Sequence, residues 1–373
     1  MAAFSTTTTT CTNNRIWSQQ RHHRLSTSNQ PIKIHLNSYS GANCHGLDHF
    51  NCHASSVTSN SPSTTSSSWT DFAAKVSGEW DGFGADFTVE GNPIELPESV
   101  VPEAYREWEV KVFDWQTQCP TLAHCSDTTC LVYKTIKLLP TVGCEADAAT
   151  VYTIEERNID VDTSAFAYQS SSGCYVAVWG RGFEEKSKSS SIELEHCLVD
   201  PRDKEESRSR VRIIQVLGYD HQDSEYLRLK GIKVFVEQWY GPFRNGDQLG
   251  GCAIRDSAFA ATQPLNASLV TGGVWQGLST AVATFHTPHR NVNIQQLIED
   301  ELSVREPIRR RNKDDLILLP KKLWCSVQKL EDETYCEVGW LLDQGRAITS
   351  TCTFSSTTKE LKEIALANET MVS

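Results

Sequence analysis

From Trp80 onward the chain alternates apolar and polar residues with a period of two and rarely sustains the 3.6-residue period of an amphipathic helix. Leu131–Leu138, Thr150–Ile154, Tyr175–Trp179, Ile192–Leu198, Val211–Val216 and Ile232–Trp239 are β-branched or aromatic runs bounded by turn residues. Val274–Phe285, Leu316–Leu319, Leu323–Leu330, Tyr335–Leu342 and Ala347–Phe354 continue the series. Ser170-Ser-Ser-Gly173, between Phe166–Tyr168 and Cys174-Tyr175, reads as a hairpin turn with glycine at the positive-φ position. So many short antiparallel strands must stack as two sheets or close into barrels to hide their edges. An internal echo favours closure. Gly78-Glu-Trp80-Asp-Gly82 and Gly273-Val-Trp275-Gln-Gly277 share the pattern G-x-W-x-G, and each opens a strand series. A large ring at the head of a first strand can plug the closed end of a barrel, with glycines allowing the strand to bend.

The expected fold class is therefore all-β, with two antiparallel β-barrel units. The first spans 69–245, a Gly-rich connection spans 246–270, and the second spans 271–373 with a short C-terminal tail. Helical segments are expected at Trp69–Val76, Val101–Trp108, Ile294–Ser303 and, as a fraying end, from Thr358 onward. Residues 1–68 stand apart. Of the first 70 positions 25 are Ser or Thr, and Arg15, Arg21, Arg24 and Lys33 face the single acid Asp48. Ser-rich, basic and acid-poor composition without a continuous apolar stretch is that of a disordered organelle transit peptide, and the Met-Ala-Ala start fits a plastid one. A disordered N-terminal tail of a cytosolic protein is the alternative.

The net charge of −12, concentrated after residue 70, repels phosphate backbones and disfavours a nucleic-acid partner. No apolar stretch approaches the ~20 residues that cross a bilayer. Thirteen cysteines contain no C-x-x-C pair, and His286-Thr-Pro-His289 lacks the glutamate of a zincin, so neither a metal nor a cofactor is expected. G-x-S-x-G and G-x-G-x-x-G are absent, and an enzyme would need a positioned acid such as Asp114 or Glu155. Arg309-Arg-Arg311 with Lys313 reads as an exposed basic loop, with docking on an acidic partner or anionic lipid as the alternative. Tyr240–Gly246 and Gly250–Arg255 read as an ordered clamp between the units.

Gly78-Glu-Trp-Asp-Gly-Phe-Gly84, Glu237-Gln-Trp-Tyr-Gly-Pro-Phe243, Leu319-Pro-Lys-Lys-Leu-Trp324, Glu337-Val-Gly-Trp-Leu341 and Arg346 resemble a calycin-like family of plant plastids and cyanobacteria. Its relatives are the lipocalins and, more distantly, the S-type phycobiliprotein lyases, whose barrels cradle an open-chain tetrapyrrole. The resemblance implies barrel units in a plastid setting, and a basic residue packed over each G-x-W tryptophan: Arg210 or Arg212 over Trp80, and Arg346 over Trp275.

A ligand-holding barrel needs an apolar cavity with a few polar groups at its mouth. Trp108, Trp115, Tyr133, Tyr152, Trp179, Trp239 and Tyr240 are the candidate lining, and Arg181, between two glycines, is the candidate anion contact. Alternatively, these rings simply fill the barrel. The expected function is non-catalytic binding of a hydrophobic or amphipathic small molecule, a tetrapyrrole or lipid, in the plastid stroma or peripherally on thylakoids. The other expectation is an assembly or accumulation factor for photosynthetic complexes that acts through protein contacts.

Overall fold

A computed structural model describes residues 64–125, 129–142, 149–159, 163–180, 191–203, 207–219, 227–247, 258–285, 293–299, 308–343 and 345–372. Helix α1 (Thr64–Val76) leads into β1 (Glu79–Phe87), and the short α2 (Glu103–Glu107) precedes β2 (Trp115–Gln118). There follow β3 (Thr121–Cys125), β4 (Thr129–Leu138), β5 (Val151–Asn158), β6 (Thr163–Tyr168), β7 (Tyr175–Trp179), β8 (Ser191–Val199), β9 (Ser209–Tyr219) and β10 (Leu227–Gly241). After α3 (Ser268–Thr271) come β11 (Val274–Thr284), β12 (Asn293–Gln296), β13 (Ile298–Glu299), β14 (Ile308–Arg309) and β15 (Ile317–Leu319). The chain closes with β16 (Leu323–Lys329), β17 (Glu333–Asp343), β18 (Arg346–Ser355) and β19 (Leu361–Val372). The chain is all-β in two sheets, as its alternation requires.

The first sheet runs β12-β6-β7-β8-β9-β10-β1-β2-β4-β3, with β5 on β4; the second runs β13-β11-β19-β18-β17-β16-β15, with β14 on β11. The first sheet curls. Tyr133 on β4 and Trp179 on β7 lie six strand steps apart, about 29 Å in a flat sheet at ~4.8 Å per step, yet their ring centroids are 5.9 Å apart. Arg157 on β5 likewise pairs with Glu193 on β8. The sheet is thus a half-barrel whose far strands meet across its interior.

Over β1 and β6 to β9 both faces of that sheet are largely buried, and period two sorts the side chains. Phe83 and Phe87, Val176 and Val178, Ile192 and Leu194, and Val211 and Ile213 face away from the interior. They pack on Leu323, Cys325, Cys336, Val338, Ile348, Cys352, Ile364 and Leu366 of the second sheet. Polar pins cross this apolar layer: His196 Nδ1 lies 2.9 Å from Ser350 Oγ, and Gln215 Nε2 donates to the Ser326 carbonyl at 3.1 Å. The alternate residues, among them Trp80, Tyr133, Phe166, Tyr168, Tyr175, Trp179 and Cys197, line the half-barrel interior against Trp69 and Phe72 of α1.

The G-x-W-x-G echo is structural. Trp80 and Trp275 are both wholly buried. Trp80 Nε1 donates to the Val76 carbonyl at 2.9 Å, and Trp275 Nε1 to the Val270 carbonyl at 2.6 Å. Each indole therefore satisfies a carbonyl that the end of the preceding helix leaves unpaired. Gly78 is required: at φ 142° a Cβ there would sit 2.2 Å from Trp239 Nε1. The Ser170–Gly173 turn joins β6 and β7 as read, with Gly173 at φ 80°.

Two helical expectations are corrected. Ile294–Ser303, over its described part, is β12 and β13. β12 runs parallel to β6, Ile294 opposite Phe166, so the segment after 271 lends a strand to the first sheet. The tail from Thr358 is β19, paired on both edges with β11 and β18. Its Lys, Glu, Leu and Ala favour a helix locally, but Ile364 and Leu366 fill the inter-sheet core on one face while Ala365 and Ala367 are buried on the other. Pairing on two edges outweighs propensities of a few tenths of a kcal/mol per residue. No helix among the described residues is long and apolar enough to cross a membrane.

Candidate functional site

The half-barrel interior is filled by a charged lattice. On β8, Glu195 points inward and accepts from Tyr133 Oη, from Tyr175 Oη at 2.9 Å, from Trp179 Nε1 at 2.7 Å and from Arg212 Nη1 at 3.2 Å. On β9, Arg210 and Arg212 are two residues apart and so share a face. Both reach Glu237 of β10, Arg210 Nε at 2.6 Å and Arg212 Nη2 at 2.7 Å. All four charged side chains are wholly buried. Burial pushes the Glu195 and Glu237 carboxyls up, but the arginines outweigh it and hold both below the ordinary carboxylate range. Tyr133, buried and beside Glu195, has its hydroxyl pKa raised well above normal, so it remains a donor. Two carboxylates against two guanidinia is a neutral arrangement in which each charge is hydrogen-bonded, the condition under which charge can be buried.

Arg210 lies 4.1 Å over the Trp80 ring. In the second sheet the arginine over Trp275 is Arg311, at 5.7 Å. Arg346 instead projects to the surface, paired with Asp343, because it opens β18 next to a tight turn and its partner Thr370 lies at the sheet's end. The Arg309–Arg311 run is exposed as expected at Arg310 and Lys313, but not at Arg309 and Arg311. Arg311 Nε binds Glu337 Oε1 at 2.7 Å, and Arg309 Nη1 binds Glu337 Oε2 at 3.3 Å.

The other candidate rings do not converge on one cavity. Tyr133 and Trp179 meet at Glu195. Trp115 is buried and stacks with half-exposed Tyr152 at 4.7 Å. Trp239 donates to the Ser77 carbonyl at 3.3 Å. Trp108 and Tyr240 are 62% and 55% exposed and line no interior. Arg181, His286, His289 and Gly250–Arg255 lie outside the described residues. Asp114 is buried and accepts from the Ala260 amide at 3.2 Å, tethering the turn after the first unit; burial raises its carboxyl to about 6. No group of three or more His, Cys, Asp or Glu among the described residues could hold a metal.

Open grooves remain at the surface of the described residues, one of about 390 Å³ bordered by Val89, Leu227, Leu229, Leu316 and Ile317 and another on the flank of β4 and β5. The latter, of about 440 Å³, is bounded by Pro120, Val132, Tyr133, Lys134, Glu156, Arg157, Asn158, Phe243 and Asn245. Val132 opposes Asn158 and Lys134 opposes Glu156 across β4 and β5. Those four residues are on the face opposite Tyr133 and Arg157, which also border the groove and join it to Glu195 and Glu193. The Tyr240–Gly246 segment closes one side. Glu79 holds the Gly246 amide at 3.4 Å, and Gly246 packs against Ile136 and Pro120. Pro120, Val132 and Phe243 supply the groove's apolar surface, and its charged residues are ion-paired, Lys134 with Glu156 at 3.2 Å and Arg157 with Glu155 and Glu193.

Sequence reasoning named the rings and missed the carboxylates. Glu193-x-Glu195 and Arg210-x-Arg212 sit at period two inside otherwise apolar strands, which is the signal of charges sharing a buried face. Phe243 and Pro120 carried no signal, because a loop folding back on a sheet has no local pattern.

No family model matches the chain, and no curated protein does. Among solved structures it is similar to a protein of unknown function from the DUF3598 family of Nostoc punctiforme. The two are 13% identical with a TM-score of 0.47, over 82% of this chain and 99% of that one.

Proposed function

We propose that this is a non-catalytic plastid protein that binds a hydrophobic or amphipathic small molecule, a tetrapyrrole or a lipid, on the flank of its first half-barrel. The observation that carries this reading is the groove of about 440 Å³ between β4, β5 and Phe243, within the ~300–1,000 Å³ of small-molecule sites. The half-barrel interior, where such a ligand would be looked for first, is occupied by Glu195, Arg210, Arg212 and Glu237. Apolar burial on Val132, Pro120 and Phe243 would supply affinity at about 25 cal/mol per Å², and Lys134 would orient an acidic headgroup. The Ser/Thr-rich, basic N-terminal segment supports the plastid setting. Solvent extraction of protein purified from plastids, followed by mass spectrometry, is expected to release one stoichiometric small molecule, and Phe243→Ala is expected to lose it. Repeated absence of any such molecule overturns the reading.

A second reading, an assembly or accumulation factor for photosynthetic complexes, is favoured by β5. Its first six residues are exposed, among them Val151, Tyr152 and Ile154 at the free edge of the described sheet. An exposed apolar edge strand is a template for pairing with another chain. On this reading the protein co-migrates with thylakoid subcomplexes on native gels and Ile154→Lys abolishes the co-migration; wild-type protein that migrates alone removes it.

A further inference from the structure

The two sheets correspond residue by residue. In the first, Gly82 of G-x-W-x-G opposes Glu237, and Glu237 opposes Arg210. In the second, Gly277 of the same pattern opposes Glu369, and Glu369 opposes Ala347. One strand further, Arg212 opposes Cys197, two residues from Glu195, and Cys197 opposes Tyr175. Its counterpart Thr349 opposes Gly339, two residues from Glu337, and Gly339 opposes Trp324. The ladder β1-β10-β9-β8-β7-β6 therefore maps onto β11-β19-β18-β17-β16-β15. Trp80 maps onto Trp275, Glu195 onto Glu337 and Glu237 onto Glu369.

What differs is the cation. The two in-sheet arginines become Ala347 and Thr349, so the positions that match Arg210 and Arg212 place no charge beside Glu337 and Glu369. Burial of two carboxylates without a counter-charge is prohibitive. Arg311, two residues past β14, supplies the charge from outside the ladder, together with Arg309 of β14, whose Nη1 is 3.3 Å from Glu337 and whose Nε is 3.9 Å from Glu369. Arg311 Nε is 2.7 Å from Glu337 and its Nη2 is 2.9 Å from Glu369, while its plane lies over Trp275 at 5.7 Å and Trp324 at 5.2 Å. Two carboxylates and two indole faces form a cage for a planar cation. Gly339 permits it, since a Cβ there would sit 2.0 Å from Trp324.

We propose that the concave face of the second sheet is a preformed guanidinium-binding site, the counterpart of the first sheet's arginine lattice, that the chain fills with its own Arg311. The ligand class is a mono-substituted guanidinium, and the site becomes open to one from solution when that side chain is removed.

The test is a thermal unfolding cycle. Arg311→Ala is expected to lower the midpoint by about 5–10 °C, the scale of an unpaired buried charge in a chain this long. Thr349→Arg restores at least half of that loss in the Arg311→Ala background, yet lowers the midpoint when Arg311 is present, because a third guanidinium is then forced against two carboxylates already paired with Arg309 and Arg311. Millimolar methylguanidinium raises the midpoint of Arg311→Ala and not that of the wild type, whereas methylammonium, which lacks the planar fork, raises neither. Equal effects of Thr349→Arg in both backgrounds, an unmoved midpoint on Arg311→Ala, or identical responses to the two amines overturns the inference. Should Arg311→Ala fail to fold, the double variant decides: it folds if the correspondence holds, and its failure overturns it.

Discussion

A carboxylate with four donors and no access to water cannot lose a partner cheaply. Arg212 contacts both Glu195 and Glu237. Arg212→Leu should therefore cost about 3–5 kcal/mol, because it strands charge in the interior. A urea unfolding series checks this, and a loss under 1 kcal/mol would mean that the pair is relieved some other way. His196 behaves oppositely. Burial depresses its pKa to about 4 from an ordinary 6.5, so the folded state resists the proton that the unfolded chain accepts. Stability from this group is complete above pH 6.5 and falls as pH drops toward 4, by about 3 kcal/mol in all at 1.36 kcal/mol per pKa unit. Asp81 and Asp114, both raised to about 6 chiefly by burial, act with the other sign and favour the fold as pH falls below 6. Comparing the wild type with His196→Gln isolates the histidine. The variant should lose stability less steeply between pH 6.5 and 4.5, and parallel curves would refute the assignment.

At the scale of elements the period-two pattern was legible wherever a strand had one apolar face turned to the inter-sheet layer, as in Ile192–Leu198 and Val211–Val216. It failed where pairing came from far along the chain. β19 looked helical because Leu361-Lys-Glu-Ile-Ala-Leu-Ala satisfies helical spacing as well as alternation, and nothing nearby announces β11, some 80 residues earlier, as its partner. β12 failed for the same reason, its partner β6 lying across the molecule. The G-x-W-x-G strands were legible because the motif encodes their constraint, a ring under the sheet and no Cβ beside it. The groove was illegible, since the loop residues Phe243 and Asn245 close one side of it. Placing β19 at the centre of the second sheet carries a prediction. Leu366, buried against the first sheet, should cost about 2–5 kcal/mol when cut to Ala. Amides of 361–372 should exchange among the slowest in the chain, and fast exchange there would restore the frayed-helix expectation.

Within residues 60–373, at the largest scale, the half-barrel and the second sheet stand back to back and share one core. Residues 60–373 form a single compact unit, and the apolar layer draws Leu194, Ile213 and Val234 from one sheet and Val338, Ile348 and Leu366 from the other. Neither sheet can leave without exposing the other's face. The charged lattices lie on the outer sides of this sandwich, one around Arg212 and one around Arg311, and each is sealed by its own sheet. A break in either lattice should thus be felt through the shared layer. Differential scanning calorimetry of the wild type, Arg212→Leu and Arg311→Leu should each give one transition, with calorimetric and van't Hoff enthalpies equal and the midpoint lowered in both variants. If the two sheets are energetically independent, Arg311→Leu instead splits off a low-temperature peak carrying about a third of the heat while the remainder melts at the wild-type temperature. The pins at His196–Ser350 and Gln215–Ser326 argue for the single peak. They fix the register of the two sheets, so partial melting would strand polar groups in an apolar face that has nothing else to cover it.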